Sequence, residues 1–115
     1  MVLIGYASAK LQKICTREKE ARKALSQHSA DLVFRRLSEL AAFDNLGQIP
    51  VRAPPLHFHP LREDASGRFV IKLHGGDGIV FRPVGEFASN DDGSPKLSTV
   101  TEIEIEFVGN YHGKS

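Results

Sequence analysis

The hydrophobic period of the chain changes near its middle. After a short apolar run from Val2 to Tyr6, which reads as a first strand, Leu11, Ile14 and Cys15 form a stripe at helical spacing. Ser8 is placed to cap that helix, and Thr16 either caps a second helical stretch, "REKEARKAL", or sits within a bent one. Leu32, Val33, Leu37, Leu40 and Ala41 keep the three- and four-residue offsets of one buried helix face, and this helix is expected to stop near Asp44 to Gly47. The three prolines of "GQIPVRAPP" deny helix and predict an extended connector. Beyond it the period falls to two. "LHFHPL", "GRFVIKLHGG", "GIVFRPV" and "VTEIEIEFV" read as four strands, with Phe69, Ile71 and Leu73 facing opposite to Arg68, Lys72 and His74, and Ile103, Ile105 and Phe107 alternating with Glu102, Glu104 and Glu106. The polar stretch "GEFASNDDGSPKLS" is long for a hairpin loop. The predicted fold class is α+β: an amino-terminal strand and helices packed on one face of an antiparallel sheet, with the other face open.

Length and charge narrow the function. A chain of 115 residues fits one domain spanning 1–115, and no apolar run reaches the roughly 20 residues that a membrane span needs. The opening "MVLIGYASAK" has no basic start and too short an apolar segment for a secretory signal. Cys15 is the single cysteine, which excludes an internal disulfide, fits a reducing cytoplasm and is most simply a core residue. Fifteen Lys and Arg against 14 Asp and Glu give weak overall support for binding nucleic acid. The distribution is uneven, however. Lys10, Lys13, Arg17, Lys19, Arg22, Lys23, Arg35 and Arg36 face only Glu18, Glu20 and Asp31 within residues 10–36, which makes the amino-terminal half either a solvated helix surface or a docking surface for RNA.

Candidate chemistry gathers in the strand half. The last strand pattern runs into Asn110, Tyr111 and His112, which form either a frayed tail or a site able to pass a proton. His57 and His59 are two residues apart and, with His74 or His112, suggest zinc. They lack a third ligand at a recognisable spacing and a cysteine partner, so no metal or other cofactor is expected. "GGDG" at 75–78 joins two strands and opens no helix, so it reads as a hairpin turn and not a phosphate loop. Glu102, Glu104 and Glu106 would repel phosphate unless Arg82 or Lys72 pairs with them across strands.

Several segments together resemble the HigB-like branch of the RelE/ParE superfamily of bacterial toxins: "YASAKLQKICTREKEARKAL", "RRLSELAAFDNLGQIP", "LHFHPLREDASGRFVIKL" and the terminal "NYH". The resemblance implies a RelE/ParE-like fold. It also implies a cytoplasmic, ribosome-dependent messenger-RNA endoribonuclease of a type II toxin-antitoxin system, neutralised by an antitoxin from an adjacent gene with a helix-turn-helix. Where the branch ends in Asp-Tyr-His this chain has Asn110, Tyr111 and His112, and its His-x-Leu-Lys-Gly segment corresponds to His59, Pro60, Leu61, Arg62 and Glu63. Gly78 stands where the family has a strand arginine. Arg82, on the same strand face as positions 78 and 80, is expected to cover for it.

The implied reaction is attack of a ribose 2′-hydroxyl on its neighbouring phosphate, which needs a base, an acid and positive charge. His59 and His112 are the proton carriers, Tyr111 stacks on a base or orients the phosphate, and Arg62, Arg68, Lys72 and Arg82 supply charge. Arg17, Arg22, Lys23, Arg35 and Arg36 would dock on ribosomal RNA. Two other readings are a toxin-like, antitoxin-binding module with little or no nuclease activity, and a gyrase poison of the ParE kind, against which the matches at His59 and His112 argue.

Overall fold

The structure is a computed structural model and describes residues 1–61 and 67–111. Strand β1 (Leu3–Tyr6) leads into three helices, α1 (Ala9–Thr16), α2 (Glu18–Ala24) and α3 (Gln27–Ala41). Ser8 caps α1 by accepting the Leu11 N–H at 3.1 Å, and Ser26 caps α3 by accepting the Ser29 N–H at 3.3 Å. Thr16 does not cap α2. Its hydroxyl donates back to the Gln12 carbonyl at 2.6 Å, and the chain breaks between α1 and α2 at Arg17, whose backbone is extended.

The strand half contributes β2 (His59–Pro60), β3 (Phe69–Lys72), β4 (Asp77–Pro83) and β5 (Glu102–Asn110), in the sheet order β1-β5-β4-β3-β2. The strands β2 to β5 pair antiparallel, whereas β1 pairs parallel with β5, Leu3 opposite Glu102 and Tyr6 opposite Ile105. The expected antiparallel sheet is therefore mixed. No hairpin joins β1 to β5, so their relative direction is free of the turn geometry that makes sequential strands antiparallel. The result is a compact α+β fold with three α-helices and five strands among the described residues. Its radius of gyration, 13.4 Å, is that of a close-packed chain of this length.

Helices cover one sheet face. Ile14, Cys15, Val33, Leu37 and Leu40 pack with Phe69, Ile71, Ile79, Phe81, Ile103 and Ile105 in the main core. The opposite face is less open than expected, because Val70, Val80 and Tyr111 form a second apolar cluster with Leu61 and Phe107 against it. Phe107 was expected beside Ile103 and Ile105. Val80 pairs with Phe107 and Phe81 with Ile105, which leaves Glu106 as an extra residue on β5, and such a bulge inverts the alternation beyond it.

The strand predicted over "LHFHPL" shrinks to two residues. His57 has φ 49°, a left-handed backbone that breaks the pleat, and Pro54 and Pro55 precede it. Leu56 and Phe58 are buried all the same, and the Leu56 carbonyl accepts the Lys72 N–H at 2.9 Å. The long polar loop after β4 closes on itself, with Ser89 bridging to Pro95 and Asp92 accepting the Ser94 N–H at 2.9 Å. No described helix is long and apolar enough to cross a membrane.

Candidate active site on the second sheet face

Gly78 on β4 and Gly109 on β5 are register partners, so two adjacent positions of this face lack side chains. The Tyr111 ring lies over Gly78. A Cβ built at residue 78 would sit 2.7 Å from Tyr111 Cε1 and 2.9 Å from Val70 Cγ1, and one at Gly109 would sit 3.3 Å from Phe107 Cζ. The glycines are thus seats for aromatic rings, a use of strand glycine that permits close approach at the cost of local stability. Tyr111 is only 6% exposed, and burial raises its phenol above the ordinary tyrosine value. A ring so covered has no face to offer a nucleobase, so the stacking role expected of it gives way to one of packing and positioning.

His59 borders this cluster. It pairs with Val70 across β2 and β3, and its ring centroid is 6.3 Å from that of Tyr111. Its Nδ1 lies 2.7 Å from the His57 carbonyl oxygen. A carbonyl can only accept, so Nδ1 carries the proton and donates, which leaves Nε2 as the basic nitrogen of a neutral ring. The left-handed turn at His57 that truncates β2 therefore also sets the His59 tautomer. Lys72, half-buried opposite Gly78, is on the same face and has no carboxylate partner among the described residues.

The arginines of this face are engaged. Arg82 reaches Glu104 at 3.2 Å and Glu106 at 3.1 Å, and Arg68 reaches Glu106 at 2.6 Å. Arg82 does share its face with Gly78, as strand alternation requires, but it lies beside the glutamate row. Arg62 and His112 fall outside the described residues. Among the described residues, no three His, Cys, Asp or Glu side chains gather as a metal-ligand set.

The expected docking residues divide similarly. Arg22 pairs with Glu18 at 2.9 Å and Asp31 at 3.4 Å, and Lys23 lies 3.9 Å from Glu20. Arg36 is 15% exposed and held by Glu39 at 2.8 Å, so it is not a surface docking group, whereas Arg17 and Arg35 are exposed.

Sequence reasoning missed Ser29 and Asp77, and did not place His74 beside them; the three meet where the start of α3 touches the β3–β4 turn. Ser29 is fully buried, donates to Asp77 Oδ2 at 2.6 Å and accepts the His74 backbone N–H at 3.3 Å. This is not a hydrolytic triad, because the serine bonds the carboxylate directly and His74 takes part only through its backbone. A serine on the apolar side of a helix, at 29 in the series 29, 33, 37 and 40, was the available signal. Comparison with protein-family models, curated proteins and solved structures gave no match.

Proposed function

We propose that this chain is a RelE/ParE-like toxin of the HigB kind, a metal-independent endoribonuclease that cuts messenger RNA on the ribosome in the cytoplasm. A helix-turn-helix antitoxin encoded next to it would hold it inactive. The observation that carries this reading is the meeting of His59, Lys72 and Tyr111 on one sheet face, with His59 Nε2 left basic by the Nδ1 bond to His57. In the reaction His59 takes the 2′-hydroxyl proton and the 2′-oxygen bonds to phosphorus. The bond to the 5′-oxygen breaks, and His112 protonates that oxygen, leaving a 2′,3′-cyclic phosphate and a 5′-hydroxyl. Lys72 neutralises charge on the phosphate in flight. Tyr111, buried beside His59, holds the end of β5 against this face.

Induction of the chain in a bacterium is expected to slow growth and deplete translated messages. His112→Ala and His59→Ala are each expected to lower cleavage about 10²- to 10⁴-fold in a folded protein. Normal growth with soluble chain present would sink the nuclease reading. The pairing of Arg68 and Arg82 with Glu104 and Glu106 favours a second reading, an antitoxin-binding module without cleavage, because it leaves Lys72 as the one described cation on this face without an ion-pair partner. That reading expects stable antitoxin binding and identical growth for the chain and its His112→Ala variant.

A further inference from the structure

The basic half of the molecule contains a groove that the sheet-face chemistry does not use. It lies between α1 and α2, encloses about 480 Å³, and is lined by Lys10, Lys13, Ile14, Glu20, Lys23 and Ala24. Its form follows from helix spacing. Residues 10, 13 and 14 fall on one side of α1, residues 20, 23 and 24 on one side of α2, and the break at Arg17 turns the two sides toward each other. Ile14 is buried and closes the floor with Ala24.

Three ammonium groups therefore surround a concave apolar floor, opposed by one carboxylate. Lys10 and Lys13 have no ion-pair partner among the described residues, and the Lys23 contact to Glu20, at 3.9 Å, is the longest of the described ion pairs. Arg22 on the same helix is bound by two carboxylates and Arg36 is covered; of the cations of the helical half without a described ion pair, Lys10 and Lys13 share this groove, while Arg17, Lys19 and Arg35 are outside its lining.

We infer that this groove binds the phosphodiester backbone of RNA, with Lys10, Lys13 and Lys23 on phosphate oxygens. The inference rests on the proposed function only in assigning that RNA to the ribosome. The lysines act as point charges on flexible stems, which suits a backbone of variable sequence better than one fixed base. Glu20 is the misfit in such a site, and its presence makes a specific prediction: removing its charge improves binding.

The test uses the full chain and a short polyuridylate strand, with affinity measured across a range of salt. Lys10→Gln, Lys13→Gln and Lys23→Gln combined should flatten the slope of log K against log salt by about 2, at about 0.7 per phosphate contact on a single strand. Glu20→Gln should tighten binding several-fold, and Lys96→Gln, in the polar loop after β4, should leave the slope unchanged. All three lysines are exposed, so an unchanged thermal melt checks that the combined variant is folded. An unchanged slope in the combined variant overturns the site. Tighter, lysine-dependent binding of polyglutamate than of polyuridylate at matched salt overturns it in favour of an acidic protein surface. Cleavage is not read, so lysine-dependent RNA binding by a chain that neither arrests growth nor cuts RNA would sink the proposed function and leave the groove standing.

Discussion

A side chain at position 78 has nowhere to go, because its Cβ would fall within 3 Å of both Tyr111 and Val70. The resemblance would make this glycine a lost arginine, whereas the packing makes it the seat of a ring. Gly78→Arg is then not a restoration of charge but a displacement of Tyr111. Gly78→Ala is expected to cost about 1–3 kcal/mol, the range for overpacking a filled site, and to shift the Tyr111 ring resonances. Denaturant titration and ring shifts check both, and an Ala variant of full stability would mean that the ring is not seated there. Cys15 supports a prediction of a different kind. Burial pushes its thiol from about 9 up to about 12. Between those values the unfolded chain gives up a proton that the folded chain keeps, so the unfolded state binds fewer protons and stability falls as pH rises. The loss should approach about 1.4 kcal/mol per pH unit above about pH 9, with no contribution from this group below that pH. Denaturation curves of the chain and of Cys15→Ala across this range isolate the effect, and iodoacetamide should leave the native thiol unlabelled near neutral pH.

At the level of elements, one hydroxyl joins the helical layer to the sheet. Ser29→Ala leaves the Asp77 carboxylate and the His74 N–H without the bonds they make to Ser29, and the expected cost is about 1–3 kcal/mol, measured by denaturant titration. A loss well below that range would mean that water replaces the hydroxyl. The elements also show which parts of the fold were legible in the sequence. The helix α3 was readable because Val33, Leu37 and Leu40 repeat at helical offsets over several turns, and β3 and β4 because short apolar runs, Phe69–Ile71 and Ile79–Phe81, are bounded by glycine and proline. Phe107 was assigned to the wrong face because a single bulged residue, Glu106, changes no residue type and leaves no compositional trace. The strand predicted over 56–61 failed for a related reason, since a left-handed His57 interrupts a pattern that remains apolar on paper. Parallel pairing of β1 with β5 was not readable, because alternation specifies which face a residue takes and not which strand lies beside it. His59 and Tyr111 entered the candidate site through the resemblance. Their meeting over Gly78 depends on the register of three strands, which lies beyond any local pattern.

Across the whole molecule, β5 is the strand on which the sheet depends, since it lies between β1 and β4 and sends Ile103, Ile105 and Val108 into the main core. Backbone amides of β5 are expected to exchange slowest with solvent, and those of the two-residue edge strand β2 among the fastest in the sheet. Exchange rates followed by NMR check the order, and comparable protection of β2 and β5 would contradict it. The topology also imposes a schedule on synthesis. A chain made from its amino terminus presents β1, the helices and β2 to β4 before β5 exists, so β1 and β4 each wait with an unpaired edge until residues 102–110 follow. Tyr111 comes directly after that strand, and the cluster it forms with Gly78 and His59 cannot precede it. Growing chains on the translating ribosome therefore carry no such cluster until β5 has emerged, and pairing of β5 is the step that assembles it.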